Sequence, residues 1–191
     1  MIYKTTELDA INIMLSTIGE APINSLVAAS GVVDAVIAHQ VLNEVGVQVQ
    51  EEGWHFNVEI SFDLLPAYPS KEIFVPDNCV EVDATDSYVD VAIRGNRLYD
   101  RVNHTFEFDK TITCDMTILL PFEDLPQAAR HYITIRAARV FQQRVVGSQI
   151  LGAFSEKDEM RARSALRRYE ANTADYNLLT GNYSVMRILD R

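Results

Sequence analysis

EEGWHFN, residues 51–57, is where the period of the sequence changes. On its N-terminal side Ala38, Leu42, Val45 and Val49 recur at helical spacing, which predicts a helix from about Val32 to Glu52. At 1.5 Å per residue this helix is roughly 30 Å long. Gly53 is its stop, because glycine readily takes the left-handed conformation that closes helices. On the C-terminal side Trp54, Phe56, Val58, Ile60, Phe62 and Leu64 alternate with polar residues. A period of two sustained that long predicts a strand with its polar residues facing outward. Fully extended it would approach 40 Å at about 3.3 Å per residue, so a bend or bulge is expected within it.

Working outward, Leu8, Ile11, Leu15 and Ile18 mark one face of a first helix. Thr5 or Thr6 can cap it, Glu7 and Asp9 suit its first turn, and Gly19 with Pro22 ends it. After residue 64 come short strands at Glu72–Val75, Cys79–Ala84 and Val89–Ile93. Arg94-Gly95-Asn96-Arg97 reads as a hairpin turn, with Leu98–Arg101 returning and Ile112–Leu120 as the last strand. Together they predict one antiparallel sheet with a wet face. A third helix starts at Pro126, runs to about Val145 and closes at Gly147, burying Ala129, Ile133, Ala137, Val140 and Phe141. Ser155-Glu156-Lys157-Asp158 resembles a capping box and is expected to open a fourth helix, to about Ala174. Its apolar stripe is thin: Ala162, Ala165, Leu166 and Tyr169.

This order predicts an α+β fold, a four-helix bundle of two N-terminal and two C-terminal helices with an inserted antiparallel β-sheet domain. The expected boundaries are 1–53 and 122–175 for the bundle, 54–121 for the β-domain and 176–191 for a C-terminal tail.

The 191 residues suffice for one sizeable domain with an insertion. Net charge is −10 and the pI about 4.8, which argues against tight nucleic-acid binding because an acidic surface repels phosphates. Cys79 and Cys114 are expected as free buried thiols in a reducing cytosol. The start of the chain turns charged at once and does not read as a signal peptide. No apolar run approaches the ~20 residues that span a bilayer.

Chemical signals are sparse. His55 lacks a paired nucleophile and orienting acid, so it reads as a surface or interface histidine. Trp54 reads as a plug between helix and strand, with sugar stacking as the alternative. Gly53, Trp54 and Phe56 then form a structural junction. Asp83 with Asp86, and Glu107 with Asp109, are acid pairs that a polysaccharide or cell-wall hydrolase could use, but nothing marks them among 27 acids. No nucleophile elbow, phosphate loop or dinucleotide fingerprint occurs, and no histidines sit at metal-ligand spacing, so no catalytic, cofactor-binding or metal residues are expected.

The last two helices are rich in charge. Residues 156–170 hold four acids and five bases. One reading is a solvated face laced with pairs; the other is a face that packs against a second copy. Candidate interface residues are Arg136, Arg139, Arg144, Arg163, Arg167 and Arg168, joined by Tyr176, Leu178 and Leu179 of the tail. Arg130 belongs to the same arginine series on the third helix. A charged interface predicts modest self-affinity in the absence of a template.

ELDAINIMLSTIGEAP (7–22), GWHFNVE (53–59) with LLP (64–66), LYDR (98–101) and YITIRAARVFQQRVVG (132–147) together resemble the tail tubular protein A family. These are the head-to-tail adaptors of short-tailed, Autographivirus-type phages. The resemblance implies a helical bundle with an inserted β-domain and a structural role in the virion tail, with assembly in the host cytoplasm. It implies a ring of twelve copies between the portal protein and the nozzle, tail tubular protein B. Tail fibres would attach around the ring, and DNA would pass through its lumen without specific binding. No cofactor and no membrane are implied. Two other readings stand beside it: the hydrolase, and a small module that binds the fibre alone.

Overall fold

The structure is a computed structural model and describes residues 4–29, 31–147 and 149–173. Helix α1 (Glu7–Ser16) opens on a reciprocal cap. The Asp9 N–H donates to the Thr6 hydroxyl, and the Thr6 N–H donates to the Asp9 carboxylate at 3.0 Å. Ala10, Ile11, Met14 and Leu15 are its buried face. A short helix α2 (Leu26–Ala29) follows, too brief to leave a periodic signal. Helix α3 spans Val33–Gln50 and helix α4 spans Gln127–Val145. Helix α5 runs from Gln149 to Thr173. The expected cap at Ser155–Asp158 therefore lies inside a helix already under way. A capping box works only where the residue before the helix is extended, and here the helical backbone continues through it.

Helix α4 packs against α1, α3 and α5, and α1 packs against α3. Their common core includes Ile11, Met14, Leu15, Leu42, Tyr132, Ile133, Phe141 and Leu166. Trp54 and Leu125 join it from outside the helices. Fully burying side chains of this size contributes roughly 1.5–3 kcal/mol each, which is what draws the elements together.

The strands form two sheets where one was expected. Strands β1 (Val58–Leu64), β2 (Cys79–Ala84) and β5 (Ile112–Ile118) make an antiparallel sheet in the order β1-β5-β2. Strands β3 (Val91–Arg94) and β4 (Arg97–Asp100) form the expected hairpin. The expected strand at 72–75 contributes only single bridges, Glu72 to Glu107 and Phe74 to Arg97. Pro76 follows it directly and has no N–H to extend a ladder. Leu64, Ile73, Val82, Leu98, Phe108, Ile112, Cys114 and Met116 form a second core that is separate from the helical one.

Two further expectations change at the start of β1. The strand begins at Val58, because Trp54–Asn57 folds as a turn in which the Asn57 N–H donates to the Trp54 carbonyl at 2.9 Å. The bulge is present between Glu59 and Phe62, with Ser61 at φ +55°. It breaks the alternation, so Ile60 (75% exposed) and Phe62 (45% exposed) stay at the surface while Leu64 is buried. Among the described residues, no helix is long and apolar enough to cross a membrane.

Candidate functional site

The 51–57 stretch is a joint tied from three sides. Gly53 takes φ +68°, and a Cβ there would meet Thr117 Oγ1 at 3.6 Å, an ordinary contact. Backbone conformation, and not space, is what calls for glycine. Trp54 is buried and its indole N–H donates to the Val49 carbonyl at 2.6 Å. Its ring lies parallel to that of Phe56, with centroids 6.4 Å apart. The group that sequence reasoning missed is Asn57, read as an outward polar residue and in fact 1% exposed. Its amide donates to the carbonyls of Gln50 and Ile118, both at 2.9 Å, and its side-chain oxygen accepts the Trp54 N–H at 2.8 Å. One side chain thus links the end of α3, the turn and the end of β5. Gln50, also buried, exchanges two hydrogen bonds with the backbone of Leu120. An asparagine three residues after the start of a turn was the available signal.

The arginines sort into three groups. Arg130 is 3% exposed and is no surface group. It donates to the carbonyls of Thr5 and Leu125 and to the Glu123 carboxylate, each at 2.9 Å, and pins the N-terminal segment to α4. Arg136, Arg139, Arg144 and Arg163 reach carboxylates of their own chain. Arg144 grips Glu44 of α3 with two bonds of 2.7 and 2.8 Å. Arg163 of α5 lies 2.9 Å from Glu52, with Arg136 at 3.8 Å from the same carboxylate. Arg139 and Arg136 share Glu159, the latter at 4.0 Å. Arg167 and Arg168 are exposed and make no ion pair with a described residue. Tyr176, Leu178 and Leu179 lie outside the described residues.

The joint and the ion pairs meet at the end of α5, where the Glu170 carboxylate accepts the His55 backbone N–H. The His55 side chain is exposed. His39 pairs with Glu7 at 2.8 Å and ties α3 to α1. Cys114 is buried and Cys79 half-buried, both as free thiols. Burial, helped by the nearby Asp115 and Asp83 charges, pushes the Cys114 thiol up to about 11.

Nothing in the described residues marks either acid pair as a catalytic dyad. Glu107 and Asp109 border a surface depression of about 600 Å³ with Asp86, Asp100 and Asn103. Lys71, 2.6 Å away, hydrogen-bonds Asp109 and holds its carboxyl below the usual range. Burial raises Asp100, but hydrogen bonds from Asn103 and Val102 outweigh it and leave a net lowering. A glycosidase's proton donor needs the opposite shift, so neither Asp109 nor Asp100 reads as that donor. Among the described residues, no group of three or more histidine, cysteine or acidic side chains could hold a metal ion.

Packing, a hydrogen-bonded joint and ion-paired helices are the features of a structural component. The chain belongs to the tail tubular protein family, whose model matches residues 8–176. It is 27% identical over 170 residues to tail tubular protein A of Klebsiella phage KP34, covering 87% of this chain and 88% of that one. The family's role is structural, and this is a phage tail protein.

Proposed function

We propose that this chain is the head-to-tail adaptor of a short-tailed phage. Twelve copies form a ring whose upper surface meets the portal and whose lower surface carries the nozzle and supports the tail fibres. DNA leaves through the lumen without specific binding, since an acidic wall does not hold phosphates. The ring assembles in the host cytoplasm and works by shape, with no reaction of its own.

The observation that carries this reading is the family match across residues 8–176, which takes in both the helices and the strands. A relative named tail tubular protein A shares nearly the full span. In this reading α1, α3, α4 and α5 are one helical bundle over 1–53 and 122–175, and 54–121 is an inserted β-domain. The two separate cores support that division. The tail, 176–191, docks on the portal.

The test is the mass of the purified chain in solution, alone and mixed with the portal of the same phage. A monomer that becomes a portal-bound ring of twelve is the expected result. A chain that ignores the portal overturns the reading.

A further inference from the structure

Charge is unevenly placed along this chain. Residues 1–125 hold 21 acids and six bases, whereas residues 126–173 hold nine bases and four acids. The structure sorts it further. In α5, Ala162 and Leu166 are buried and fix which side faces the protein. At 100° per residue, Glu159, Arg163 and Glu170 fall on that side, where each has a partner within the chain. Lys157, Arg161 and Arg168 fall on the opposite side and are exposed. The outward side of α5 is therefore net basic: Lys157, Arg161, Arg167 and Arg168 stand against the exposed acids Glu156 and Asp158, the latter 3.2 Å from Arg161.

The three-stranded sheet carries the opposite charge. Ile112, Cys114 and Met116 of β5 point into the β core, so Thr113 and Asp115 lie on the other face. In register with them are Asp63 and Asp83. With Glu81 they make an exposed acidic sheet face on which no carboxylate has a cationic partner among the described residues. Asp83 stands directly opposite Asp115. Like charges in register across a ladder are destabilising, so the isolated chain carries a repulsion that a cationic partner would relieve.

We propose that the outward face of α5 in one copy docks on the β1-β5-β2 face of the next copy. The contact is head to tail, which repeats into a ring when the rotation between copies closes, as the adaptor reading requires. It rests on the adaptor reading and deepens it by naming the two faces that meet. Charge complementarity selects the occupant: among the described helices, α5 is the one whose exposed cations include some, Lys157, Arg167 and Arg168, with no ion-pair partner among the described residues.

The experiment uses full-length protein and the portal of the same phage, and reads how fully and how cooperatively portals are filled by native mass. Arg161→Glu with Arg168→Glu, and separately Glu81→Lys with Asp83→Lys, are expected to leave portals partly filled, with full rings reduced at least about tenfold. All four substitutions in one chain recreate opposite charges with signs exchanged and are expected to restore full rings. Asp83→Lys alone is expected to raise the urea midpoint of the free chain while impairing ring filling, a combination that a fold defect cannot produce. Full, cooperative rings from both charge-reversed pairs, or no recovery in the fourfold variant, overturn the docking. Failure of the unaltered chain to bind the portal at all overturns the adaptor reading together with it.

Discussion

Replacing Asn57 by alanine tests whether the joint is held by one amide. The substitution removes two donated bonds, to Gln50 and Ile118, and one accepted from Trp54. Asn57 is 1% exposed, so water does not reach these groups without rearrangement. A buried polar group left unpaired costs roughly 1–3 kcal/mol. The Gln50 carbonyl keeps the Gly53 N–H at 3.1 Å, so two such groups, partly relieved by relaxation and by water entering the vacated space, give an expected loss of about 3 kcal/mol. Against a total of roughly 5–15 kcal/mol for a folded domain this is a large fraction. It corresponds to a fall in Tm on the order of 10 °C for a chain of this size.

The assay is urea unfolding followed by tryptophan fluorescence. Trp54 is the only tryptophan, it is buried, and it lies within the joint. Asn57→Asp is expected to cost at least as much, because a carboxylate would face two carbonyl oxygens with no proton to donate. His55→Ala keeps the backbone N–H that meets Glu170 and should stay within about 0.5 kcal/mol of the parent, as exposed substitutions usually do. A loss below about 1 kcal/mol for Asn57→Ala, with an unchanged m-value, would refute the reasoning.

Gly53→Ala meets no steric obstacle, so its cost is that of a left-handed alanine, roughly 1–2 kcal/mol, read from the same urea curves. Cys114 makes stability fall at high pH. Its thiol titrates near 9.0 when unfolded and about 11 when folded, so the unfolded state loses its proton first as pH rises. Stability from this group is unaffected well below pH 9 and declines between about 9 and 11, by on the order of 2 kcal/mol, a decline that Cys114→Ala should flatten. A flat profile in the parent would contradict the burial argument.

The chain's punctuation was legible wherever backbone chemistry acts locally. Gly53, a threonine cap at 5 or 6 and the Arg94–Arg97 turn each work through their own few residues, and periodicity located α1, α3 and α4; that the cap is Thr6 and reciprocal with Asp9 came from the structure. What failed depended on distant partners. Asn57 and Gln50 are polar, and polarity alone predicts exposure; their burial is possible because carbonyls 60 to 70 residues away accept their protons. Ile60 and Phe62 read as core because a strand's faces alternate, but the bulge at Ser61 reset the alternation. Ser155 read as a cap because a capping box is also an ordinary helical sequence when nothing upstream stops the helix.

The arginines show the same limit in a more useful form. From sequence, α5 is an even mixture of signs, compatible with a self-satisfied solvated helix or with an interface. The choice lies in the helix's phase, which its thin apolar stripe leaves poorly marked. Once Ala162 and Leu166 are placed against α4, the mixture is partly sorted: the acids Glu159 and Glu170 turn inward to arginine and backbone partners, while four cations, Lys157, Arg161, Arg167 and Arg168, are exposed with the two acids Glu156 and Asp158. Among its described residues α5 is held by buried Ala162 and Leu166 and a set of ion pairs, and it gains little from presenting cations to water, since exposed pairs contribute roughly 0–1 kcal/mol. That arrangement is better explained by what the face meets than by what it does for the single chain. An acidic sheet face with Asp83 directly opposite Asp115 offers the matching surface in the proposed docking, where the next copy's cations would relieve that repulsion.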